Sequence, residues 1–177
     1  DAIPDRGRRL NDLPLAPELA ALLVRGRDAG LAASAARVAV LLSERMPGLD
    51  RQVDLAERLR RFTARPGDWP LLGRALARLN GDRKDRAAPD GAAPDGAAPG
   101  GAAPGGALGL LLADTFPDRI ARRRDGEEDR YLLADGSGAR LPPGSPLAGR
   151  EWLVVLDTDG RPRDAVLRLA WALGPPA

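Results

Sequence analysis

The sequence is 177 residues long and carries 27 Lys plus Arg against 25 Asp plus Glu, with no histidine and no cysteine. That length suits one large domain or two small ones. The missing thiols and imidazoles exclude disulfide frameworks, thiolate nucleophiles, zinc ribbons and Ser-His-Asp triads, and they remove the commonest transition-metal ligand.

The pI of about 9.8 does not describe a strongly basic surface, because the formal net charge is only +2. With so few groups that titrate between about pH 5 and 10, a small excess of Arg moves the neutral point far upward. All but one of the basic residues are Arg. A high Arg, Ala, Gly and Pro content is also what a GC-rich genome writes, so it is weak evidence for binding. The chain opens DAIPDRGRR, polar and without an initiating Met, and reads as part of a longer protein with no secretory signal. No apolar run approaches the roughly 20 residues of a membrane helix. The expected compartment is cytoplasmic, with no membrane partner.

Apolar residues first recur at helical spacing. Leu15, Leu19, Leu22 and Leu23 form one stripe, with Pro17 suited to a first turn and Gly26 or Gly30 near its end. Ala35, Val38, Leu41 and Leu42 form a second, closed by Met46-Pro47-Gly48. Leu55, Leu59 and Phe62 form a third, stopped by Pro66-Gly67. Asp68 is placed to cap a fourth, which carries Leu72, Leu76 and Leu79 and ends at Asn80-Gly81. Residues 1–80 thus predict an α-helical bundle.

Residues 87–106 read AAPDG-AAPDG-AAPGG-AAPGG, one five-residue unit four times over. Proline and glycine in every unit oppose helix, and no large apolar side chain is available to bury. With the charged approach GDRKDR, residues 81–106 predict a flexible linker; twenty such residues span roughly 25 Å. So long a spacer implies loose coupling between the parts that it joins. Glycine does not recur every third residue, which excludes collagen.

After the repeat the period changes. Ala107–Thr115 suits one short helix, ended by Phe116-Pro117. Strand-like runs follow at Arg119–Arg124, Arg130–Ala134, Ala139–Leu141, Glu151–Asp157 and Ala165–Leu173, with hairpin chemistry at Asp125-Gly126, Asp135-Gly136 and Asp159-Gly160. Trp152–Leu156 is apolar on both faces and predicts a doubly covered strand. In the last run Leu167, Leu169, Trp171 and Leu173 alternate with Val166, Arg168, Ala170 and Ala172, which predicts one buried face. Only nine residues, Pro142 to Arg150, join the third and fourth strands, too few for a helix there. Residues 107–177 therefore predict a five-stranded barrel of OB type behind a short helix. The fold class is α+β in two parts, bundle (1–80) and barrel (107–177), joined by the linker 81–106.

The densest charge feature is Asp118-Arg119-Ile120-Ala121-Arg122-Arg123-Arg124, followed by Glu127-Glu128-Asp129. Arg119, Arg122, Arg123 and Arg124, with Arg130 and Arg140 on the next strands, are candidate phosphate ligands, since the guanidinium fork fits phosphate and stacks on bases. The competing reading is a hairpin whose arginines pair with its own acidic turn. Residues 107–177 hold ten Arg against eleven acids, so any contact must be a local stripe. Tyr131, Trp152 and Trp171 could stack on bases, although aromatics at strand spacing are more often core. Asp157-Thr158-Asp159-Gly160 lacks the glycine and closing glutamate of a calcium loop and reads as a hairpin turn. No phosphate-binding loop of the GxxxxGK[ST] type occurs. No catalytic residue, metal site or cofactor site is expected in the chain itself.

GRRLNDLPLAPELAALLV (7–24), LLSERMPG (41–48) and DLAERLRRF (54–62) resemble the helicase-associated region of HrpB-type bacterial DEAH-box helicases. LLLADTFPDRIARRR (110–124), RYLLADGSGARLPPGSPLAGREWLVV (130–155) and the final strand are similar to that family's C-terminal OB-fold; FPDRIA and YLLADGSGA are the most specific stretches. The resemblance implies a parent enzyme whose two RecA-like lobes bind ATP and Mg and translocate on nucleic acid, with RNA the expected strand. It implies that bundle and barrel roof the strand, so the partners are single-stranded nucleic acid and the motor lobes. Without those lobes the chain should be inactive alone. The alternative function is a docking module whose arginines meet protein carboxylates rather than phosphates.

Overall fold

The computed structural model describes residues 16–43, 51–64, 104–161 and 163–174. The fourth helical stripe (68–80) and residues 81–103 lie outside them. Helix α1 is Pro17–Asp28 and α2 is Ala32–Ser43. The two are joined by a tight reversal in which Gly30 has φ 74° and the Leu31 amide donates to the Gly26 carbonyl. Glycine takes that left-handed conformation without steric cost. Helix α3 is Leu55–Ala64, and the Asp54 carboxylate accepts from the Ala56 amide at 2.9 Å at its start.

Helix α4 is Pro104–Thr115 and begins three residues before the expected boundary, inside the last repeat unit. Proline suits a first helical turn because its missing N–H has no intrahelical partner there. The apolar run from Ala107 then carries the helix forward, so the rule that Pro and Gly oppose helix fails at this unit. A 3-10 turn, Pro117–Arg119, leads into the sheet.

The five strands, β1 Ile120–Arg123, β2 Arg130–Leu133, β3 Gly138–Arg140, β4 Trp152–Thr158 and β5 Ala165–Leu173, form a closed barrel in the order β1-β2-β3-β5-β4. β4 returns to pair with β1, and only β3 and β5 run parallel. The segment 142–150 contains turns and no helix, as its length required. Its Leu147 is buried, and the Leu147 and Arg150 carbonyls accept from the Tyr131 hydroxyl at 3.2 and 2.9 Å.

β4 is covered on both sides. Leu153 and Val155 join Ala121, Tyr131, Ala139 and Leu167 inside the barrel. Val154 and Leu156 join Leu169 and Trp171 in a second core with Leu22, Val38, Leu55, Leu111 and Leu112 of the helices. Helices and barrel are therefore one packed body at this face, and the loose coupling expected from the linker's length does not hold.

Two further features lock the parts together. β3 is three residues long and pairs with β5 only at Ala165 and Val166. Beyond it, the Ala170 amide of β5 donates to the Val53 carbonyl at 2.9 Å, Asp54 bridges Ala170, and Val53 is buried with the barrel interior. Arg58 of α3 is buried and donates to the Arg168 carbonyl at 3.0 Å. A piece of the helical region thus extends the short strand and seals the barrel wall.

β5 departs from simple alternation. Its register with β4 passes from Val155↔Ala170 to Asp157↔Leu169 and then to Thr158↔Leu167, so Leu156 and then Arg168 are supernumerary. Each extra residue inverts the face. Leu167 consequently enters the barrel while Leu169 and Trp171 face the helices, instead of all sharing one face.

Candidate nucleic-acid interface

Strand alternation decides which arginines can act together. On β1, Ala121 is fully buried in the barrel, and Arg123 lies on the same side, opposite the fully buried Tyr131. Arg123 donates to the Glu127 carbonyl at 3.3 Å, and its Nε is buried with no hydrogen-bond partner among the described residues. Arg119 is also committed elsewhere. It donates to the Leu156 carbonyl at 3.0 Å, pairs with Glu18 of α1 at 2.8 Å and lies over the Phe116 ring. It braces the barrel against the helices. The single rim Arg119–Arg124 read from the sequence is therefore split.

Arg122 projects from the other side of β1, Arg124 lies one residue beyond that strand, and both are exposed. Arg122 is in register with Leu132 on β2 and Trp152 on β4, with its guanidinium 5.7 Å from the Trp152 ring centroid. The Arg124 amide donates to the Arg130 carbonyl, and Arg130 is in register with Arg140 on β3. Arg124, Arg130 and Arg140 thus form a row across three strands, with Arg122 beside it. Like charges directly opposite on a sheet repel.

The row is partly offset. Arg130 pairs through Nε with Glu127 at 3.0 Å and through a terminal nitrogen with Asp164 at 2.8 Å. Among the described residues, Arg124 and Arg140 have no ion-pair partner. Leu132, nearly half exposed, and Gly138 form the adjoining row. Of the aromatic candidates, Tyr131 and Trp171 are core, and only Trp152 is partly exposed.

The Arg130–Glu127 pair is the arginine-to-acidic-turn contact of the competing reading, whereas Asp164, Leu132 and Gly138 escaped sequence reasoning. Their places depend on cross-strand register and on Asp164's φ of 55°, for which no sequence signal exists. Among the described residues no three Asp or Glu come together as a metal-ligand group, and no helix is long and apolar enough to cross a membrane.

Among the described residues, three carboxylates and one phenol are shifted. The Arg61 side-chain hydrogen bond holds Glu57 below the usual carboxylate range, and the Ser137 hydroxyl and amide do the same for Asp135. Burial pushes Asp159 up, but the Val166 and Arg161 amides and nearby arginines outweigh it and lower it. Burial raises Tyr131. Each lowered carboxylate contributes stability above its unfolded value, near about 4, that is lost as pH falls through its folded value. Tyr131 favours the neutral form, so its contribution is present below about pH 10 and is lost as the unfolded phenol ionises above that. Urea midpoints are expected to be flat from pH 5 to 9 and to fall on both sides. A midpoint that moves between pH 6 and 8 would contradict this.

A closed barrel buttressed by helices, presenting a row of arginines, defines an α+β module. No family model matches the sequence. The chain is 34% identical over 155 residues to the ATP-dependent RNA helicase HrpB of Escherichia coli strain K12, an alignment covering 85% of the chain and 16% of that protein. Two crystal structures of E. coli HrpB, one described as a DExH-box NTPase and one as a DEAH/RHA helicase, match it with TM-scores of 0.71 and 0.72 at 30% and 29% identity. They cover 97% and 98% of the chain and 19% of each solved chain. The chain is homologous to HrpB over most of its own length and spans less than one fifth of the length of these relatives.

Proposed function

We propose that this chain is the accessory region of an ATP-dependent RNA helicase and that the outer face of β1, β2 and β3 contacts the single strand. The observation that carries the reading is the in-register row Arg124–Arg130–Arg140. It costs folding energy through like-charge opposition, and a polyanion would convert that cost into binding. The strand order, with β1 paired to both β2 and β4, supports an OB-type barrel, a fold that offers strand faces and loops to oligonucleotides. ATP and Mg would act in RecA-like motor lobes outside this chain, and the compartment would be the cytoplasm. Residues 1–80, 81–106 and 107–177 would serve as brace, linker and strand-binding barrel.

Fluorescence anisotropy with a single-stranded RNA 12-mer tests this on the full chain. Weak binding that falls steeply with salt is expected, because each neutralised phosphate releases counterions, with a slope of about −0.7 per contact on single strands. Changing Arg124→Ala and Arg140→Ala together should flatten the slope by about 1.4, whereas Arg119→Ala should leave it unchanged. Absence of binding at low salt, or an unaltered slope in the double variant, would favour the protein-docking reading.

A further inference from the structure

Asp164 is the anomaly of the arginine face. It is the only non-glycine among the described residues with positive φ, at 55°. That conformation is costly for most side chains, and Asp is among the few that adopt it, whereas glycine would hold it freely. Its pair with Arg130 is a poor reason to keep a side chain there. Both partners are about 40% exposed, and ion pairs that open to water contribute little to folding. The position of the carboxylate offers a better reason. A Cβ built on Gly138 would lie 3.2 Å from a terminal nitrogen of Arg124 and 3.5 Å from the Asp164 carboxylate. Asp164 and Arg124 therefore border the same point above β3, with Arg130 bound to the other oxygen of the carboxylate. The absent side chain at position 138 leaves that point open. The carboxylate stands where an anion shared by Arg124 and Arg130 would stand.

We infer that Asp164 is an internal carboxylate latch on the arginine face, occupying Arg130 until a phosphate of the bound strand displaces it. The inference rests on the strand-contact reading above. A latch of this kind makes a single phosphate a poor ligand, because one contact must replace an existing ion pair. A strand also engages Arg124, Arg140 and Arg122, and so can open it. Asp164 thereby sets a threshold that favours polyanions over mononucleotides. Glu127 does not share this role: it reaches Arg130 from three residues away on the connecting turn and does not border the point above Gly138.

The test uses a fluorescent oligouridine 12-mer and, as a one-phosphate comparator, uridine monophosphate, both with the full chain. Asp164→Asn is expected to tighten 12-mer binding about 3- to 10-fold at low salt. It should also steepen the salt slope by about 0.7, the contribution of one further phosphate contact. It should make monophosphate binding measurable. Asp164→Gly, which also relieves the backbone, should do the same, and thermal melts of both variants check that the fold is kept. In an Arg130→Ala background, Asp164→Asn should no longer change the slope. If the 12-mer binds and depends on Arg124 and Arg140, yet Asp164→Asn leaves affinity and slope alone, the latch is refuted and the interface stands. An equal gain with and without Arg130 also refutes it, as that is general charge repulsion. If no variant binds the 12-mer, the interface itself falls.

Discussion

Residues 104–177 produced without the preceding helices are expected not to fold, even though they contain every strand of the barrel. Two losses act together. Leu111, Leu112, Leu169 and Trp171 share their core with Leu22, Val38 and Leu55 of the missing helices. Burial of such a side chain contributes about 1.5–3 kcal/mol, so uncovering all four costs about 6–12 kcal/mol, comparable to the whole stability of a domain. The barrel wall also opens, because β3 stops at Arg140 while β5 runs to Leu173, and the Val53 carbonyl that receives the Ala170 amide is gone. An orphaned strand edge beside an emptied Val53 position invites aggregation rather than closure. Far-UV circular dichroism and amide proton dispersion should both show a collapsed or unfolded chain. Co-production with residues 1–80 should restore dispersion, with the two pieces purifying together. A cooperative melt from residues 104–177 alone would refute the shared-core account.

The strands were legible because each apolar run is bracketed by turn chemistry that admits few alternatives. Gly126, Gly136 and Gly160 all take the positive φ that their Asp-Gly pairs announce. Leu153 to Leu156 announced a covered strand because no polar residue interrupts them. Three features were hidden, for one physical reason: a strand's period of two carries no mark of where it slips or ends. The bulges at Leu156 and Arg168 send Leu167 into the barrel, although its spacing from Leu169 is that of a neighbour on the same face. Val53 looks like a loop residue before α3, and only the shortness of β3 makes room for it on the sheet. In Arg122-Arg123-Arg124 the charge run is continuous, yet the middle side chain turns inward with Tyr131 while its neighbours face out. A charge run on a strand is two populations, and only the register shows which one meets a ligand. Arg140, which stands apart from that run in sequence, joins it through the pairing of β2 with β3.

Gly26→Ala should destabilise the protein although it improves the local helix. Position 26 is inside α1, where alanine is preferred over glycine by about 1 kcal/mol. Against this, a Cβ at position 26 would lie 2.3 Å from the Ala35 Cβ on α2, and 3.4 Å from both a Leu111 methyl and the Leu31 carbonyl. The Ala35 contact cannot be relieved by rotating a side chain, because a methyl on a helix moves only with its backbone. Relief therefore requires α1 and α2 to separate, which disturbs the Leu31 to Gly26 hydrogen bond that sets their reversal and loosens α4 against α1. Overpacking of this kind costs about 1–3 kcal/mol and occasionally more, and the backbone component places this case at the upper end. The steric term wins. A net loss of about 1–3 kcal/mol is expected, lowering Tm by roughly 3–10 °C for a chain of this size. Ala35→Gly in the Gly26→Ala background returns the space from the other helix and should recover most of the loss, whereas Ala35→Gly alone should destabilise by about 1 kcal/mol through helix propensity. The four melting curves form a double-mutant cycle whose coupling must be favourable if the two helices touch at this point. A Gly26→Ala protein more stable than wild type would show that the helices do not approach so closely.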